Sequence, residues 1–413
     1  MPAHFHQIWA SRLPLLVTAL WLLMACVVGT HSVVRPTKNT VFPTYHAAGE
    51  KWVQGKKIYK NNRRFVYSPL AAAAFAPFSK LPLSAAGLLW RLINIGAFVG
   101  AVAWWLRSGL HRGLAQKHYP WVFLLLLPLS LGNFHNAQVN PLIISLILVA
   151  ILACREKLWT LSAVAIGIAT YFKIYPLAAG LLLLLLYPRQ LWWRLAVVLV
   201  SLGALTFILQ DPLYVKKQYE LWIQYRLADN RFEYDNEIAS RDFLMILRAL
   251  HIPITQRVYQ GLQLAAGAAI AVLLLTGRLR GWAQDRLMVG LLSLVTCWMM
   301  LFGPSTESAT YVIMAPALAF ALVQACSQPE RYSKAMRATI IAAVVVSIVA
   351  LEINALVSRA WVDTRTPPFM AIQPFGALLF LGYSLAALLP RYWKHHPQDR
   401  TGGSPYLAAR CAF

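Results

Sequence analysis

The sequence predicts an all-α polytopic membrane protein, and three observations predict it. Of 413 residues, 59% are hydrophobic and 13% charged. Apolar runs near the roughly 20 residues that a helix needs to cross a hydrocarbon core recur along the whole chain. Short connections rich in Arg and Lys alternate with connections that are not, which is the bias that orients such chains. A soluble two-domain protein would need long charged faces, and none is written here. Lys and Arg outnumber Asp and Glu by 38 to 15. That balance fits membrane lipids or an anionic substrate, and no soluble basic segment is present to hold nucleic acid. Cys26, Cys154, Cys297, Cys326 and Cys411 have neither paired nor metal-ligand spacing and read as packing residues.

Taken in order, a short basic N-terminus ending at Arg12 precedes a first span, Leu13 to about Val34, read as uncleaved because no small-residue cleavage site follows. The loop 35–83 comes next. Its stretch YHAAGEKWVQG has an amphipathic helical pattern with Gly55 as C-cap. Its later stretch FVYSPLAAAAFAPFSKLP is broken by Pro69 and Pro77, so it predicts a helix lying along or dipping into the outer leaflet rather than a span. Further spans are predicted at about 84–107, 120–132, 138–154, 158–172, 174–187 and 192–209, then at 259–277, 287–303, 309–326, 337–357 and 372–390. That makes twelve in a single membrane domain, 1–413, with a cytoplasmic tail at 391–413. With the N-terminus inside, the turns bearing Arg107, Arg155, Arg189, Arg278 and Arg331 all fall on the inner side.

Two outer loops are long. Loop 35–83 holds Arg35, Lys38, Lys51, Lys56, Lys57, Lys60, Arg63 and Arg64 within its first 31 positions against one acid there, Glu50, which runs against the orienting bias and predicts an anionic ligand. Loop 210–258 begins with a helical pattern in which Leu213, Tyr214, Leu221, Trp222 and Tyr225 form one docking face. It carries Asp211, Glu220, Asp229, Glu233, Asp235, Glu237 and Asp242, without the regular alternation of a calcium loop. No metal and no cofactor is expected.

Polar residues at membrane depth usually mark a site. GNFHNAQVNP (Gly132 to Pro141) and YFKIYP (Tyr171 to Pro176) place such residues at the ends of adjacent spans. If Arg155, Glu156 and Lys157 form an inner turn, both clusters return to the outer face. One patch would then hold His135, the amides Asn136, Gln138 and Asn140, and Lys173. A third element, FGPSTESATY, sets Glu307 at a Gly-Pro-broken junction as a helix cap or a general base. Arg91 is placed to meet an acid or a phosphate, and Glu352 to meet an Arg.

The ordered set FVYSPLAAAAFAPFSKLP, GNFHNAQVNP, YFKIYP and FGPSTESATY, over roughly residues 40–320, resembles glycosyltransferase family 87. This resemblance implies a GT-C architecture and a bacterial plasma-membrane enzyme with its site facing the extracytoplasmic side. It implies inverting transfer of mannose or another hexose from a polyprenyl-phosphate sugar donor to a hydroxyl of a glycan or glycolipid acceptor. Under it, Lys173, Arg63, Arg64 and His135 would hold the donor phosphate and Asn136, Gln138 and Asn140 the sugar. Relatives carry an Asp a few residues before the position of Tyr45, whereas this chain has Thr40 and Val41 there. The base is therefore expected at Glu50, Glu307 or Asp211, with Glu50 favoured by loop position and His46 as a helper. The alternatives are a lipid-linked-sugar transporter, against which the absence of an internal repeat speaks, and a non-catalytic lipid-sugar binder.

Overall fold

The computed structural model describes residues 3–59, 65–111, 114–228, 230, 232, 234, 239–303, 306–356 and 366–389, with side chains from residue 12 onward except 352–356. The expectations for Arg63, Arg64, the acids at 229, 233, 235 and 237, the Glu352 side chain and the tail from 391 lie outside these residues.

The described residues form helices and no strand. They are α1 (Ala3–Val34), α2 (Phe42–Val53), α3 (Pro69–Phe75), α4 (Leu83–Arg107), α5 (Tyr119–His135), α6 (Asn140–Arg155), α7 (Trp159–Phe172), α8 (Leu177–Leu186) and α9 (Pro188–Leu209). There follow α10 (Pro212–Leu227), α11 (Phe243–Ala249), α12 (Gln256–Leu279), α13 (Gln284–Phe302), α14 (Ala315–Ser327), α15 (Lys334–Leu356), α16 (Pro367–Met370) and α17 (Ile372–Ala387).

Each expected span has a helical counterpart, but not all have the length to cross. Among the described residues, seven helices are long and apolar enough to do so: α1, α4, α9, α12, α13, α15, and α16 with α17. Helices α6, α7, α8 and α14 have 16, 14, 10 and 13 residues. At 1.5 Å per residue, α8 rises only about 15 Å, half of a hydrocarbon core. The expected count of twelve full spans is therefore not reached by length. The expected spans at 158–172 and 174–187 are already short of membrane length, because the polar break at Lys173–Pro176 divides one apolar stretch in two.

Of the short helices, α6 and α14 are the most enclosed. Helix α6 is apolar on nearly every face, and a helix of that kind belongs inside. Ile143, Ile144, Ile147, Leu148, Ile151 and Leu152 are fully buried, against α4, α7 and the 3₁₀ turn Ser308–Ile313. The long helices α9 and α12 keep most of their surface outward, where lipid replaces protein as the apolar partner.

The long connections meet at one end of the bundle. Helix α2 ends as expected at Gly55, whose φ of 63° is a conformation glycine adopts without a Cβ penalty. Lys56 N–H closes the cap on the Lys51 carbonyl at 2.9 Å. Gly49 lets α2 touch α3, because a Cβ there would lie 2.4 Å from the Phe75 carbonyl oxygen. Helix α3, seven residues long and so too short to cross, packs into the protein: Ala71, Ala72 and Phe75 are buried, against α2, α7 and α9. Helix α10 clamps this loop. Gln218 Oε1 accepts from Ile58 N–H at 3.1 Å, Tyr214 Oη donates to the Lys56 carbonyl at 2.9 Å, and Trp222 Nε1 donates to the Val66 carbonyl at 3.2 Å. Its docking face is centred on Val215, Gln218 and Trp222. Leu213, expected on that face, is 78% exposed.

At the opposite end Arg155 pairs with Asp285 at 3.2 Å and with Glu156 at 2.7 Å, which ties the turn after α6 to the start of α13. The predicted alternation of connections thus maps onto two ends of the bundle. Cys154 and Cys297 are buried as packing residues, whereas Cys26 and Cys326 are exposed, against expectation.

Candidate active site

A cavity of about 70 Å³ opens where the connections meet. Lys173, Tyr175, Gln138, Glu307, Tyr67 and Arg226 line it, with Trp222 and Phe172 among its apolar walls. Each charged group arrives for a local reason. Helix α7 stops at Phe172, and Lys173 takes extended backbone (φ −143°, ψ 137°), because Pro176 excludes helix just beyond. Its ammonium lies 5.5 Å from the centre of the Tyr175 ring. Arg226 comes from the last turn of α10.

Glu307 stands at the N-cap of the 3₁₀ turn Ser308–Ile313, in a reciprocal capping box with Thr310. Its backbone N–H donates to Thr310 Oγ1 at 3.1 Å. The carboxylate is on an exposed residue that also lines the cavity, so one residue both caps the turn and borders the cavity.

Burial pushes the Lys173 ammonium down to about 8, opposed by the Glu307 carboxylate and reinforced by Arg226. Burial also raises Tyr175 well above the ordinary phenol value, followed by the charges of Tyr67 and Glu307. The Tyr175 hydroxyl is buried without a hydrogen-bond partner. Such a donor costs about 1–3 kcal/mol if left unmade, and here it borders the cavity. Tyr67 Oη is 2.9 Å from Tyr45 Oη, and burial raises both phenols.

The structure divides the patch that the sequence predicts. Lys173, Gln138 and Glu307 share the cavity; His135, Asn136 and Asn140 do not line it. The cause is the end of α5, where Ala137 takes a left-handed φ of 58° and Gln138 N–H bonds back to the Asn133 carbonyl at 3.0 Å. The chain reverses there, so His135 and Gln138 meet different neighbours. The His135 ring packs on His31, with centroids 4.3 Å apart. The Asn136 carbonyl accepts from Val41 N–H and Thr40 Oγ1. Asn140 Nδ2 is committed to Asn133 Oδ1 and to the Ala309 carbonyl, pinning this turn to the 3₁₀ element.

Two expected bases also stand apart from the cavity. Glu50, the favoured one, is on the exposed side of α2, where its carboxylate accepts from Gln54 Nε2 at 2.9 Å. Asp211 is exposed and caps α10, accepting from Tyr214 N–H at 2.8 Å. His46 contacts the Leu81 carbonyl at 3.1 Å. Sequence reasoning missed Tyr67, Tyr175 and Arg226 as lining residues. The motifs containing both tyrosines were noted, but a tyrosine near a span end reads first as an interfacial anchor.

The model of glycosyltransferase family 87 matches residues 65–304, more than half of the 413. The chain belongs to glycosyltransferase family 87. The matched stretch includes Tyr67, Gln138, Lys173 and Arg226 and stops just short of Glu307. Among curated proteins, the polyprenol-phosphate-mannose-dependent alpha-(1-2)-phosphatidylinositol pentamannoside mannosyltransferase of Mycobacterium tuberculosis is 31% identical over 118 residues, which are 27% of this chain and 26% of that protein. The protein of the same description from Mycolicibacterium smegmatis is 30% identical over 118 residues, 28% of each. The chain thus spans little more than a quarter of the length of the curated relatives it matches. The crystal structure of ArnT from Cupriavidus metallidurans bound to undecaprenyl phosphate aligns with 91% of this chain and 77% of that one, at 17% identity and a TM-score of 0.35.

Proposed function

We propose that this family 87 member transfers mannose or another hexose from a polyprenyl-phosphate donor to an acceptor hydroxyl on the extracytoplasmic side, inverting the anomeric carbon, within a GT-C-type architecture. The observation that carries the reading is the joining of Lys173, Arg226 and Glu307 in one cavity. Two cations and one carboxylate leave a net charge of +1, the complement of a phosphodiester. The polyprenol-phosphate-mannose dependence of the curated relatives supports the donor class.

In this reading the phosphate lies against Lys173, Arg226 and the unpartnered Tyr175 hydroxyl, and Gln138 holds a sugar hydroxyl. Glu307 removes the acceptor proton as the acceptor oxygen bonds to the anomeric carbon from the face opposite the phosphate. The bond from that carbon to the phosphate oxygen breaks, and its electron pair leaves on the phosphate, where Lys173 and Arg226 stabilise the growing charge. A glycan or glycolipid serves as the acceptor, and the prenyl chain lies along the apolar helices.

The test is incubation of purified protein with a panel of radiolabelled polyprenyl-phosphate sugars and a glycolipid acceptor extract. Mannosyl donor is expected to release label into product. A protein that binds donor yet releases no label with any acceptor is instead a lipid-sugar binder. Sidedness is read separately in spheroplasts. Single cysteines at the exposed positions Lys56 and Lys217 are expected to react with an impermeant reagent, and those at Glu156 and Arg280 to be protected. The reverse pattern would put the cavity on the cytoplasmic side.

A further inference from the structure

Four basic residues outside the cavity gather at a second place. Three helices converge there. His31 lies in the last turn of α1 and Arg35 directly follows it, His135 ends α5, and Arg91 lies within α4. Arg91 is 2% exposed, and the partners of its guanidinium are all neutral oxygens. Those are Ser32 Oγ at 2.9 Å, the Gly87 carbonyl at 3.0 Å, Thr40 Oγ1 at 2.9 Å and the His135 carbonyl at 2.9 Å. Arg91 Nε and His31 Nδ1 are buried without partners. Among the described residues, no carboxylate is paired with any of these four groups. A buried guanidinium without an opposite charge is poorly compensated, and a nearby anion relieves it.

The same place has a shape. Cys26, Val27, Thr30, His31, Val34 and Arg35 recur on one face of α1 and line an open, mainly apolar groove of about 430 Å³. Its apolar half runs down a helix long enough to span the bilayer, and its basic half falls at the end of that helix, where headgroups lie. An apolar helix face that ends in the His31 imidazole, packed on that of His135, and in the Arg35 guanidinium matches an acyl chain joined to a phosphate. Inorganic phosphate would fill only the basic end.

We infer that the outward face of α1, where its end meets the end of α5, holds an anionic phospholipid, its phosphate against His31, His135 and Arg35 with Arg91 behind them, at a site distinct from the Lys173–Glu307 cavity. The lipid neutralises the buried guanidinium that braces the turn from Asn133 to Gln138 through the His135 carbonyl and Thr40.

Native mass spectrometry of the detergent-purified protein, with phosphatidylglycerol, phosphatidylcholine or inorganic phosphate added, tests this. Phosphatidylglycerol is expected to be retained over phosphatidylcholine, and the double variant His31→Gln, His135→Gln to weaken its retention about tenfold through loss of charge-assisted hydrogen bonds. Lys80→Gln, which removes an exposed charge elsewhere in the outer loop, keeps retention unchanged. Should the double variant fail to fold, Arg35→Gln carries the test, because Arg35 is exposed and its loss is expected to weaken retention about threefold without unfolding the chain. Equal retention of both lipids, retention undiminished in these variants, or binding of inorganic phosphate without phosphatidylglycerol would each overturn the assignment.

Discussion

Glu307→Gln is expected to lower sugar transfer by about 10²- to 10⁴-fold, the usual cost of losing a positioned general base, while donor affinity stays within about threefold. Glutamine keeps the shape of the side chain and an oxygen that accepts at the N-cap, so the capping box with Thr310 survives the change. A collapse of the 3₁₀ turn would look different, since Asn140 and Gln373 are bonded to that element and the whole junction would loosen. Thermal unfolding in detergent separates the two outcomes: the variant is expected to melt within a few degrees of the parent while turnover falls. Glu50→Gln and Asp211→Asn serve as contrasts. The first changes an exposed carboxylate bonded only to Gln54, and the second replaces one good helix cap by another. Both are expected to keep turnover within about threefold. Single-turnover transfer from a radiolabelled donor reads all three variants. Full turnover in Glu307→Gln would remove this carboxylate from the mechanism.

How far the sequence carries this site depends on which side chains have a local signal. The polar breaks at GNFHNAQVNP and YFKIYP, the Gly55 cap and the Glu307 junction are written in short stretches, and each is found at its expected place. The partition of the polar residues is not local. His135 and Gln138 are three positions apart, yet Ala137 in a left-handed conformation sends one toward His31 and the other toward Lys173. No pattern marks that reversal, because glycine or asparagine is the usual signal and alanine occupies the position. Arg226 was hidden for another reason. It lies more than 50 residues from Lys173, and the docking of α10 on Ile58 and Val66 brings them together. The choice of Glu50 rested on loop position, and tertiary packing turned that face of α2 outward. Hydropathy likewise separated apolar from polar stretches well, but could not tell a crossing helix from α8, which is as apolar as any span and half as long.

The Lys173 ammonium gives the last expected result, because its titration opposes donor binding and protein stability in the same pH window. Burial holds it at about 8, against 10.5 for an ordinary lysine. Below about pH 8 it is charged and attracts the donor phosphodiester, whose own charge does not change there. Above that pH the free protein holds a neutral amine, so kcat/KM for the donor is expected to fall toward tenfold per pH unit, since this ratio reports the free enzyme. Stability moves the other way. Between about pH 8 and 10.5 the unfolded chain binds the proton that the folded chain has lost, so this group's contribution to stability rises with pH. A general alkaline loosening of the fold would lower both quantities together. Lys173→Arg keeps a charge at every pH used and is expected to flatten the alkaline limb. Lys173→Met is expected to weaken donor binding at least about tenfold at pH 7, equivalent to about 1.4 kcal/mol, with normal expression. Donor affinity unchanged in Lys173→Met, or an alkaline limb that persists in Lys173→Arg, would leave this lysine as an interfacial anchor and return the phosphate to Arg226 and the Tyr175 hydroxyl.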